Sequence, residues 1–324
     1  RVFSHCPACL IITEDFKHAP AVSVRNQIMN KQPVTNYLRK PTWLKVRPPY
    51  AESCRQIRST LSNLHLHTVC QEAACPNMAE CFQSGTATFL ILGNICTRNC
   101  LYCNVVHGTP RPLDENEIGH VVDAVREINL NYVVVTSVTR DDLSDGGASV
   151  FAEVIVRLRR EIPGCKIEVL IPDFQGDREA LEKVVAASPD VINHNMEVVE
   201  SMFEKLRPQG NYRRSLDVLS GFAQTPIVSK SGFMVGFGET RDDILRLLDD
   251  LASVSCARLT IGQYQQPTHG HWPVARYYQP DEFDEFKAVA YSKGFQYVES
   301  GPLVRSSYRA AQAHQQAFLH QGNL

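Results

Sequence analysis

Short apolar runs alternate with amphipathic stretches along the chain from residue 86 to residue 293. Continuous apolar runs of this length suit parallel strands that are buried on both faces, whereas apolar residues recurring every three or four positions indicate helices. Strands are predicted at residues 86–92, 131–138, 166–172, 190–196, 226–237 and 257–264. Helices are predicted at residues 114–129, 147–161, 177–188, 213–223, 240–254 and 280–293.

This order of elements predicts an α/β fold, a partial parallel (β/α)6 TIM-like barrel with N- and C-terminal extensions. A doubly wound open sheet is the alternative, but no G-x-G-x-x-G pattern stands at a first strand-to-helix turn. Polar residues end several of the apolar runs. In a parallel barrel these ends meet at one mouth, which is where active sites of this architecture lie.

The segments on either side of the barrel differ from it in pattern. Residues 1–50 contain several prolines and little periodicity, so we expect an irregular N-terminal arm that wraps the body. Residues 51–85 begin with a predicted helix at 53–66 and continue into a cysteine-rich stretch. The barrel is expected at 86–295 and a C-terminal extension at 296–324.

Composition excludes some classes of protein. Of the 324 residues, 44% are hydrophobic and 21% are charged, and the formal net charge is −2. With no basic excess and no apolar run near the ~20 residues of a membrane span, we expect neither a nucleic-acid partner nor membrane association. Eleven cysteines, an odd number, and no recognisable secretory signal predict metal or cluster ligation in a reducing compartment. That compartment is the cytoplasm or, in a eukaryote, an organelle matrix.

A first cysteine triad follows the first predicted strand. The stretch ICTRNCLYC spaces Cys96, Cys100 and Cys103 as C-x₃-C-x₂-C. Thiolates at this spacing can bind three irons of a [4Fe–4S] cluster and leave the fourth iron open to another ligand. The alternative is a zinc site completed by a distant His or Cys, although zinc sites favour two separated cysteine pairs.

A second triad precedes the barrel. Cys70, Cys75 and Cys81 are spaced C-x₄-C-x₅-C, and again one ligand is missing. Two incomplete triads with fourteen residues between them indicate two clusters rather than one. Purely structural cysteines are the alternative.

Both triads together resemble those of a known enzyme family. C-x₃-C-x₂-C with Tyr102 before the third cysteine is similar to the radical S-adenosylmethionine superfamily. C-x₄-C-x₅-C ahead of it resembles the lipoyl synthase family, and the resemblance runs from about residue 40 to about residue 310. It rests on the stretches KPTWLKVRPP, GTATFLILGNICTRNCLYC, TSVTRDDLSDGGA, EVLIPDFQGD, NHNMEVV, KSGFMVGFGET, TIGQYQQPT and SGPLVRSSY.

The resemblance implies a sulfurtransferase that inserts two sulfur atoms at C6 and C8 of a protein-bound octanoyl-lysine. Its implied cofactors are two [4Fe–4S] clusters and S-adenosylmethionine. The cluster on Cys96, Cys100 and Cys103 is implied to chelate S-adenosylmethionine and yield a 5′-deoxyadenosyl radical. The auxiliary cluster in the segment 51–85 is implied to donate the sulfur. No side chain is expected to act as an acid or base, because these C–H bonds are unactivated and the clusters carry the chemistry.

Other activities remain as alternatives. One is another two-cluster sulfur-inserting enzyme of the same superfamily. From a different class come a ferredoxin-like electron carrier and a zinc-binding interaction module, neither of which needs a βα barrel. The implied substrates are octanoylated lipoyl carrier domains, namely 2-oxoacid dehydrogenase E2 subunits and the glycine cleavage H protein. A low-potential donor such as ferredoxin or flavodoxin is the implied source of electrons.

The resemblance also implies a fourth ligand for the auxiliary cluster. It is the serine before the tyrosine in the RSSY motif, Ser307, with Ser306 as the fallback. The alternative from the residues alone is an N-cap for a helix at 308–319.

Contacts to S-adenosylmethionine are expected from residues at the predicted mouth: Tyr102, Gly146, Gly147, Glu168, Asn195, Gly236 and Glu239. Each has a plainer alternative. Gly146 and Gly147 could form a turn that opens a helix, and Glu168 could be a satisfied polar group inside the barrel. The stretch at 236–240 could be an ordinary strand-to-helix turn with Thr240 as N-cap.

Overall fold

The predicted apolar runs form the strands of a single sheet. The computed structural model describes residues 38–45, 52–72, 75, 77–83 and 87–314. Its eight strands are β1 His67–Thr68, β2 Thr88–Ile91, β3 Tyr132–Ser137, β4 Lys166–Leu170, β5 Val191–Asn193, β6 Val228–Val235, β7 Arg258–Gln263 and β8 Tyr297–Gly301.

Helices follow most of the strands. They are α1 Glu52–Asn63, α2 Val69–Glu72, α3 Met78–Gln83, α4 Glu117–Ile128, α5 Ala148–Glu161, α6 Arg178–Ala186, α7 Glu200–Leu206, α8 Tyr212–Ser220, α9 Arg241–Ser253 and α10 Pro280–Ser292. Short 3₁₀ turns lie at Thr42–Leu44 and Phe174–Gly176. Within the described parts of the chain, no helix combines the length and apolar character needed to cross a membrane.

The strands lie in the sheet in the order in which they occur along the chain. β1 pairs with β2 in antiparallel fashion, and every later pair from β2·β3 to β7·β8 is parallel. The two edges of the sheet are not paired with each other. The predicted α/β partial barrel is therefore confirmed.

The number of parallel strands differs from the prediction. Seven strands are parallel instead of six, because β8 pairs with β7 in the register Thr260↔Glu299. β8 lies in the stretch that was expected to be a C-terminal extension, and only one of its five residues is buried. A half-exposed edge strand lacks the continuous apolar run that marks the inner strands, so this signal could not find it.

The hydrophobic core lies between the sheet and its helices. On β2, Phe89 and Ile91 are fully buried, and they pack in one cluster with Phe151, Ile155 and Leu158 of α5. Thr240 is the N-cap of α9, which was the alternative interpretation of the stretch at 236–240. Its hydroxyl accepts from the Asp243 amide, and the Asp243 carboxylate accepts in return from the Thr240 amide.

Part of the predicted N-terminal arm contacts the barrel. In the segment 38–45, Leu44 is buried, and Lys40 Nζ donates to Gln265 Oε1 at 3.0 Å. The rest of the predicted arm lies outside the described residues, including the C-x₂-C pair Cys6 and Cys9, which lacks the strand-to-helix context of a redox motif. The described part of the arm brings Lys40 and Leu44 to the wall of a cavity at the barrel.

Candidate active site: two cysteine triads at one cavity

A cavity of about 590 Å³ joins the two cysteine triads and the C-terminal serines. Cys70 and Cys75 of the second triad, Cys103 of the first, and both Ser306 and Ser307 line it. Residues at or near the carboxyl ends of β4 to β7 also line it: Leu170, Asn195, Met234 and Gly262. The site therefore lies at the predicted mouth of the barrel.

The first triad lies on a loop that is held at several points. The Cys96 amide donates to Val106 O at 2.8 Å, and the Gly108 amide donates to Cys96 O at 2.9 Å. At the other end of the loop, the Cys103 amide donates to Cys100 O at 3.0 Å. Burial raises the pKa of the Cys103 thiol to about 12, and the nearby Cys100 and Cys96 add to the rise. The three thiols are thus close enough to influence one another.

The second triad lies on two short helices and at Cys75, between them in the chain. Cys70 lies in α2 and Cys81 in α3, and the Cys75 amide donates to Cys70 O at 3.0 Å. Burial raises the pKa of the Cys81 thiol to about 12, and the neighbouring Cys70 and Cys75 raise it further. The three thiols of this triad are therefore also close enough to influence one another.

The C-terminal serine reaches this second triad. Thr88 Oγ1, at the start of β2, donates to Ser307 Oγ at 2.8 Å, and Thr88 is also hydrogen-bonded to the Cys70 thiol. On the far side, Tyr308 and Arg309 both bind the Glu80 carboxylate, with shortest contacts of 3.1 Å. The chain therefore brings Ser307 to the cysteines from more than two hundred positions away.

The donor set suits iron–sulfur chemistry. No three His, Cys, Asp or Glu side chains in the described ranges come close enough to hold one metal ion. A four-iron cluster makes a different demand, because each thiolate binds its own iron. Three thiols and one hydroxyl oxygen at the second triad, and three thiols beside an open cavity at the first, match that demand.

Arg98 ties the first triad to the ends of two neighbouring strands. Its guanidinium donates to both oxygens of Asp141, at 2.6 and 2.8 Å, and to Asp173 Oδ1 at 2.6 Å. Its backbone amide donates to the Cys96 sulfur at 3.4 Å. Burial opposes ionisation of Asp173, but the hydrogen bond and charge of Arg98 outweigh it and lower the pKa of Asp173 to about 2. The ion pairs of Arg98 with these two carboxylates hold the cysteine loop against the barrel mouth.

Two of the expected cofactor contacts line the cavity, Tyr102 and Asn195. Asn195 Nδ2 donates to Glu197 Oε1 at 2.9 Å, while Asn195 Oδ1 is buried without a hydrogen-bond partner among the described residues. Such an orphaned acceptor beside the first triad fits a ligand that donates hydrogen bonds.

Glu197 also lines the cavity, although it is not among the cofactor contacts that the sequence predicts. Burial raises the pKa of its carboxyl, and the charge of Arg207 opposes the rise. Glu197 follows Asn195 by two positions, a spacing that predicts side chains on the same face in an extended segment, although the Glu197 backbone itself is left-handed, with φ of 67°. That spacing was the available signal.

Gly236 and Glu239 are not among the residues that line this cavity. The Glu239 carboxylate accepts hydrogen bonds from the amides of Gly236, Phe237 and Gly238, at 2.7, 2.8 and 3.1 Å. A Cβ atom on Gly236 would lie 2.2 Å from Gln263 Nε2. Both residues therefore shape and pack the turn after β6, in agreement with the plainer alternative, and their predicted contact with the cofactor stays untested.

Glu168 has partners for both of its carboxylate oxygens. Lys230 Nζ donates to Oε1 at 2.7 Å and Tyr132 Oη donates to Oε2 at 2.6 Å, with all three side chains buried inside the barrel. This is the satisfied polar group that the sequence left open as an alternative. We therefore leave Glu168 out of the proposed cofactor contacts.

Gly146 and Gly147 form the turn that opens α5, and they are not among the cavity-lining residues. Both have positive φ, 59° and 90°. A Cβ atom on Gly147 would lie 2.3 Å from Leu92 Cδ1, and the Leu92 side chain is fully buried. Glycine is therefore required here for backbone conformation and for packing.

Replacing Gly147 by alanine is expected to lower the free energy of unfolding by about 3 kcal/mol, because left-handed strain and overpacking add. Gly164 is the matched control, since its φ is 88° and nothing lies within 4 Å of an added Cβ. Gly164→Ala should cost only about 1 kcal/mol. Denaturant unfolding measures both. Equal losses would show that the contact with Leu92 costs nothing.

Comparisons with known proteins agree with this geometry. The family model for the radical SAM superfamily matches residues 90–251, and the model for the N-terminal domain of lipoyl synthase of the radical SAM family matches residues 14–75. The lipoyl synthase of Rubrobacter xylanophilus is 52% identical over 273 residues, covering 84% of this chain and 85% of the relative. The lipoyl synthase of Caldanaerobacter subterraneus is 51% identical over 275 residues, covering 84% and 96%. The chain belongs to the lipoyl synthase family.

The lipoyl synthase family is a family of radical S-adenosylmethionine sulfurtransferases, so the predicted enzyme class is confirmed. Membership of the superfamily implies one [4Fe–4S] cluster and S-adenosylmethionine. The match of the lipoyl synthase N-terminal model from residue 14 corrects our estimate that the likeness begins near residue 40. Our motifs came from the body of the chain and gave no signal in the proline-containing arm.

Solved structures agree on the fold. Methylornithine synthase (PylB) gives a TM-score of 0.50 at 12% identity, covering 77% of this chain and 82% of that one. HydG, a maturase of the [FeFe]-hydrogenase, gives a TM-score of 0.52 at 14% identity, covering 77% and 68%. At these identities the likeness concerns the barrel alone.

Proposed function

We propose that this member of the lipoyl synthase family inserts two sulfur atoms, at C6 and C8 of an octanoyl group carried on a lysine, with two [4Fe–4S] clusters bound at one cavity. The observation that carries the proposal is that thiols of both triads and Ser307 line the same 590 Å³ space. An acyl chain in that space lies within reach of both triads without leaving the site.

In this proposal each triad holds one cluster. Cys96, Cys100 and Cys103 hold the first and leave one iron open to S-adenosylmethionine. Cys70, Cys75 and Cys81 hold the second, and Ser307 completes it. When bound, the first cluster with its cofactor supplies the radical chemistry that unactivated C–H bonds require, and the second supplies sulfur.

The domain assignment follows from these ligands. The segment 51–85 provides three ligands of the second cluster, the barrel at 86–295 provides the first cluster's site, and the C-terminal extension at 296–324 provides the RSSY serine. β8 belongs to the sheet although it lies within this extension.

The cavity walls suit an octanoyl chain. Apolar side chains come from the N-terminal segment, from the barrel and from the C-terminal stretch, and they include Leu44, Val69, Leu170, Phe233, Met234 and Val304. Burial of CH₂ groups contributes about 0.8 kcal/mol each, so such walls bind the acyl chain and exclude water from it. Lys40 and Gln265 lie at an exposed part of the lining, where the lysyl arm of a carrier would enter.

Near the first triad, we propose that Tyr102, Asn195 and Glu197 contact S-adenosylmethionine. Tyr102 hydrogen-bonds the Cys100 thiol, and its ring lies edge-on to Phe237 at 6.0 Å. The orphaned Asn195 Oδ1 accepts from a ligand donor, and the buried Glu197 carboxylate accepts from hydroxyl or ammonium groups.

The implied substrates are octanoylated lipoyl domains. We propose 2-oxoacid dehydrogenase E2 subunits and the glycine cleavage H protein as carriers, and a ferredoxin or flavodoxin as electron donor. We place the reaction in the cytoplasm, or in an organelle matrix of a eukaryote. The support is that seven cysteines are free thiols, namely Cys70, Cys75, Cys96, Cys100, Cys103, Cys165 and Cys256.

The decisive experiment is anaerobic incubation of the reconstituted protein with S-adenosylmethionine, a reductant and an octanoyl-lysyl peptide. Mass spectrometry should show 5′-deoxyadenosine and a peptide that has gained two sulfur atoms. Absence of both products would overturn the proposal. Formation of 5′-deoxyadenosine without sulfur on the peptide would favour the alternative, a related sulfur-inserting enzyme with another substrate.

Replacing Ser307 by cysteine should preserve the iron content but slow sulfur insertion at least about tenfold. A serine oxygen is a poor match for iron beside three thiolates, and a fourth thiolate holds that iron more tightly. Ser306→Cys is the matched control, since Ser306 lines the same cavity. A slow Ser306 variant beside an unaffected Ser307 variant would move the ligand to Ser306.

A further inference from the structure

Thr88 lies between two of the proposed ligands of the second cluster. It is the first residue of β2, and its side chain is buried, with 3% of the residue exposed. Its hydroxyl donates to Ser307 Oγ at 2.8 Å. Cys70 follows β1, which pairs with β2, and it lines the same cavity as Ser307.

The position of Thr88 is fixed by the sheet. β2 pairs with β3 in the register Thr88↔Val134, and Val134 is itself buried. Threonine is β-branched, so its side chain is stiff about the first torsion in a strand. The Thr88 hydroxyl is therefore a donor held at a defined place in the barrel wall.

Ser307, by contrast, lies outside the sheet, and its carbonyl accepts a hydrogen bond from the Ala310 amide at 3.3 Å. Ser307 lies in a turn, and the next two residues, Tyr308 and Arg309, bond through their side chains to the Glu80 carboxylate. These three side chains are partly exposed. These bonds place the main chain, but they do not select the direction of the Ser307 hydroxyl. The hydrogen bond from Thr88 fixes that direction.

We propose that Thr88 is a positioning residue that aims the Ser307 oxygen at the second cluster and keeps it beside the Cys70 sulfur. The inference rests on the proposed function, in which Ser307 is the fourth ligand of that cluster. Hydrogen bonds that orient a metal ligand contribute to metal affinity, and their removal commonly weakens it about 10- to 100-fold. Because oxygen is the weakest of the four ligands, its iron should be the most sensitive to this bond.

The test compares Thr88→Val, which keeps the shape of the side chain and removes the hydroxyl, with Thr88→Ser, which keeps the hydroxyl. Thr136→Val is the matched control, because Thr136 is buried on the adjacent strand and its hydroxyl donates to Leu170 O at 2.9 Å, away from Ser307. The full-length proteins are reconstituted anaerobically and mixed with a ferrous chelator, without S-adenosylmethionine. The rate of iron release is measured, and Mössbauer spectroscopy identifies the cluster site from which the iron was lost.

Thr88→Val should release about one iron of about eight at least about tenfold faster than the parent. Thr88→Ser and Thr136→Val should release iron like the parent. Equal rates for Thr88→Val and the parent would overturn the inference, and so would an equal acceleration in Thr136→Val, since that would reflect a general loss of stability. If Thr88→Val fails to fold, the Thr88→Ser variant decides. Faster iron release than in the parent protein overturns the inference, and iron release at the parent's rate supports it.

Ser307→Ala separates this inference from the proposed function. If Ser307→Ala releases iron like the parent, Ser307 is not a ligand, and the proposed assignment fails together with the role of Thr88. If Ser307→Ala releases one iron rapidly but Thr88→Val does not, the ligand assignment stands and only the role of Thr88 is overturned.

Discussion

Replacing Cys100 by alanine should abolish the formation of 5′-deoxyadenosine, whereas replacing Cys75 by alanine should leave that product and abolish sulfur insertion. Cys75 lines the cavity, and Cys100 belongs to the other triad, whose Cys103 lines it, so each substitution removes one ligand of one proposed cluster. Each variant should retain about four of about eight irons per chain. Iron analysis and product detection by mass spectrometry measure both effects.

The control for this pair is Cys165→Ala. Cys165 is buried in the core and lies outside both triads, so its loss should change neither iron content nor products. If Cys75→Ala retained half of its iron and yet formed no 5′-deoxyadenosine, the division of labour between the two triads would be wrong.

The parts of this site that the sequence predicted share one property, which is that their signal is local. Each cysteine triad occupies about ten consecutive positions, and an inner strand announces itself by a run of apolar residues. β8 escaped detection because it is an edge strand with one buried residue in five. Periodicity reports burial, so an element with little burial gives little signal.

Contacts between distant parts of the chain had no comparable signal. Thr88 meets Ser307 across 219 positions, and Arg98 meets Asp173 across 75. Glu168 was expected to contact the cofactor, but its carboxylate pairs with Lys230, which lies two strands away in the sheet. A strand residue's partner is set by sheet order and register, which a single sequence specifies only through the whole fold.

Arg98→Met is expected to lower the free energy of unfolding by about 3 to 5 kcal/mol, because it leaves a buried carboxylate without its main partner. The Asp173 side chain is 0% exposed, and its remaining cation, Arg214, is 3.4 Å away. The same change frees the loop that carries Cys96, so reconstitution should also yield less iron at the first triad. Denaturant unfolding and iron analysis test the two effects.

Arg140→Met is the matched control. Arg140 is as buried as Arg98, but its carboxylate partner Asp142 is 39% exposed and stays solvated when the arginine is lost. Its loss should therefore cost only about 1 to 2 kcal/mol and leave the iron content unchanged. Arg98→Lys should be intermediate, since lysine keeps the charge but cannot bridge two carboxylates with a planar fork.

The pH dependence gives the Arg98 prediction an independent test. The pKa of Asp173 falls from 3.8 to about 2 on folding, so the ionised carboxylate contributes about 2 kcal/mol of stability at neutral pH. A carboxyl whose pKa is lower in the folded state stabilises that state at pH values above the unfolded-state pKa. This stabilisation is lost as the pH falls through the folded-state pKa. The difference in unfolding free energy between the parent and Arg98→Met should therefore narrow as pH is lowered from 7 towards 3. A difference that stays constant over this range would show that the Arg98 side chain stabilises the mouth through packing alone, not through its charge on Asp173.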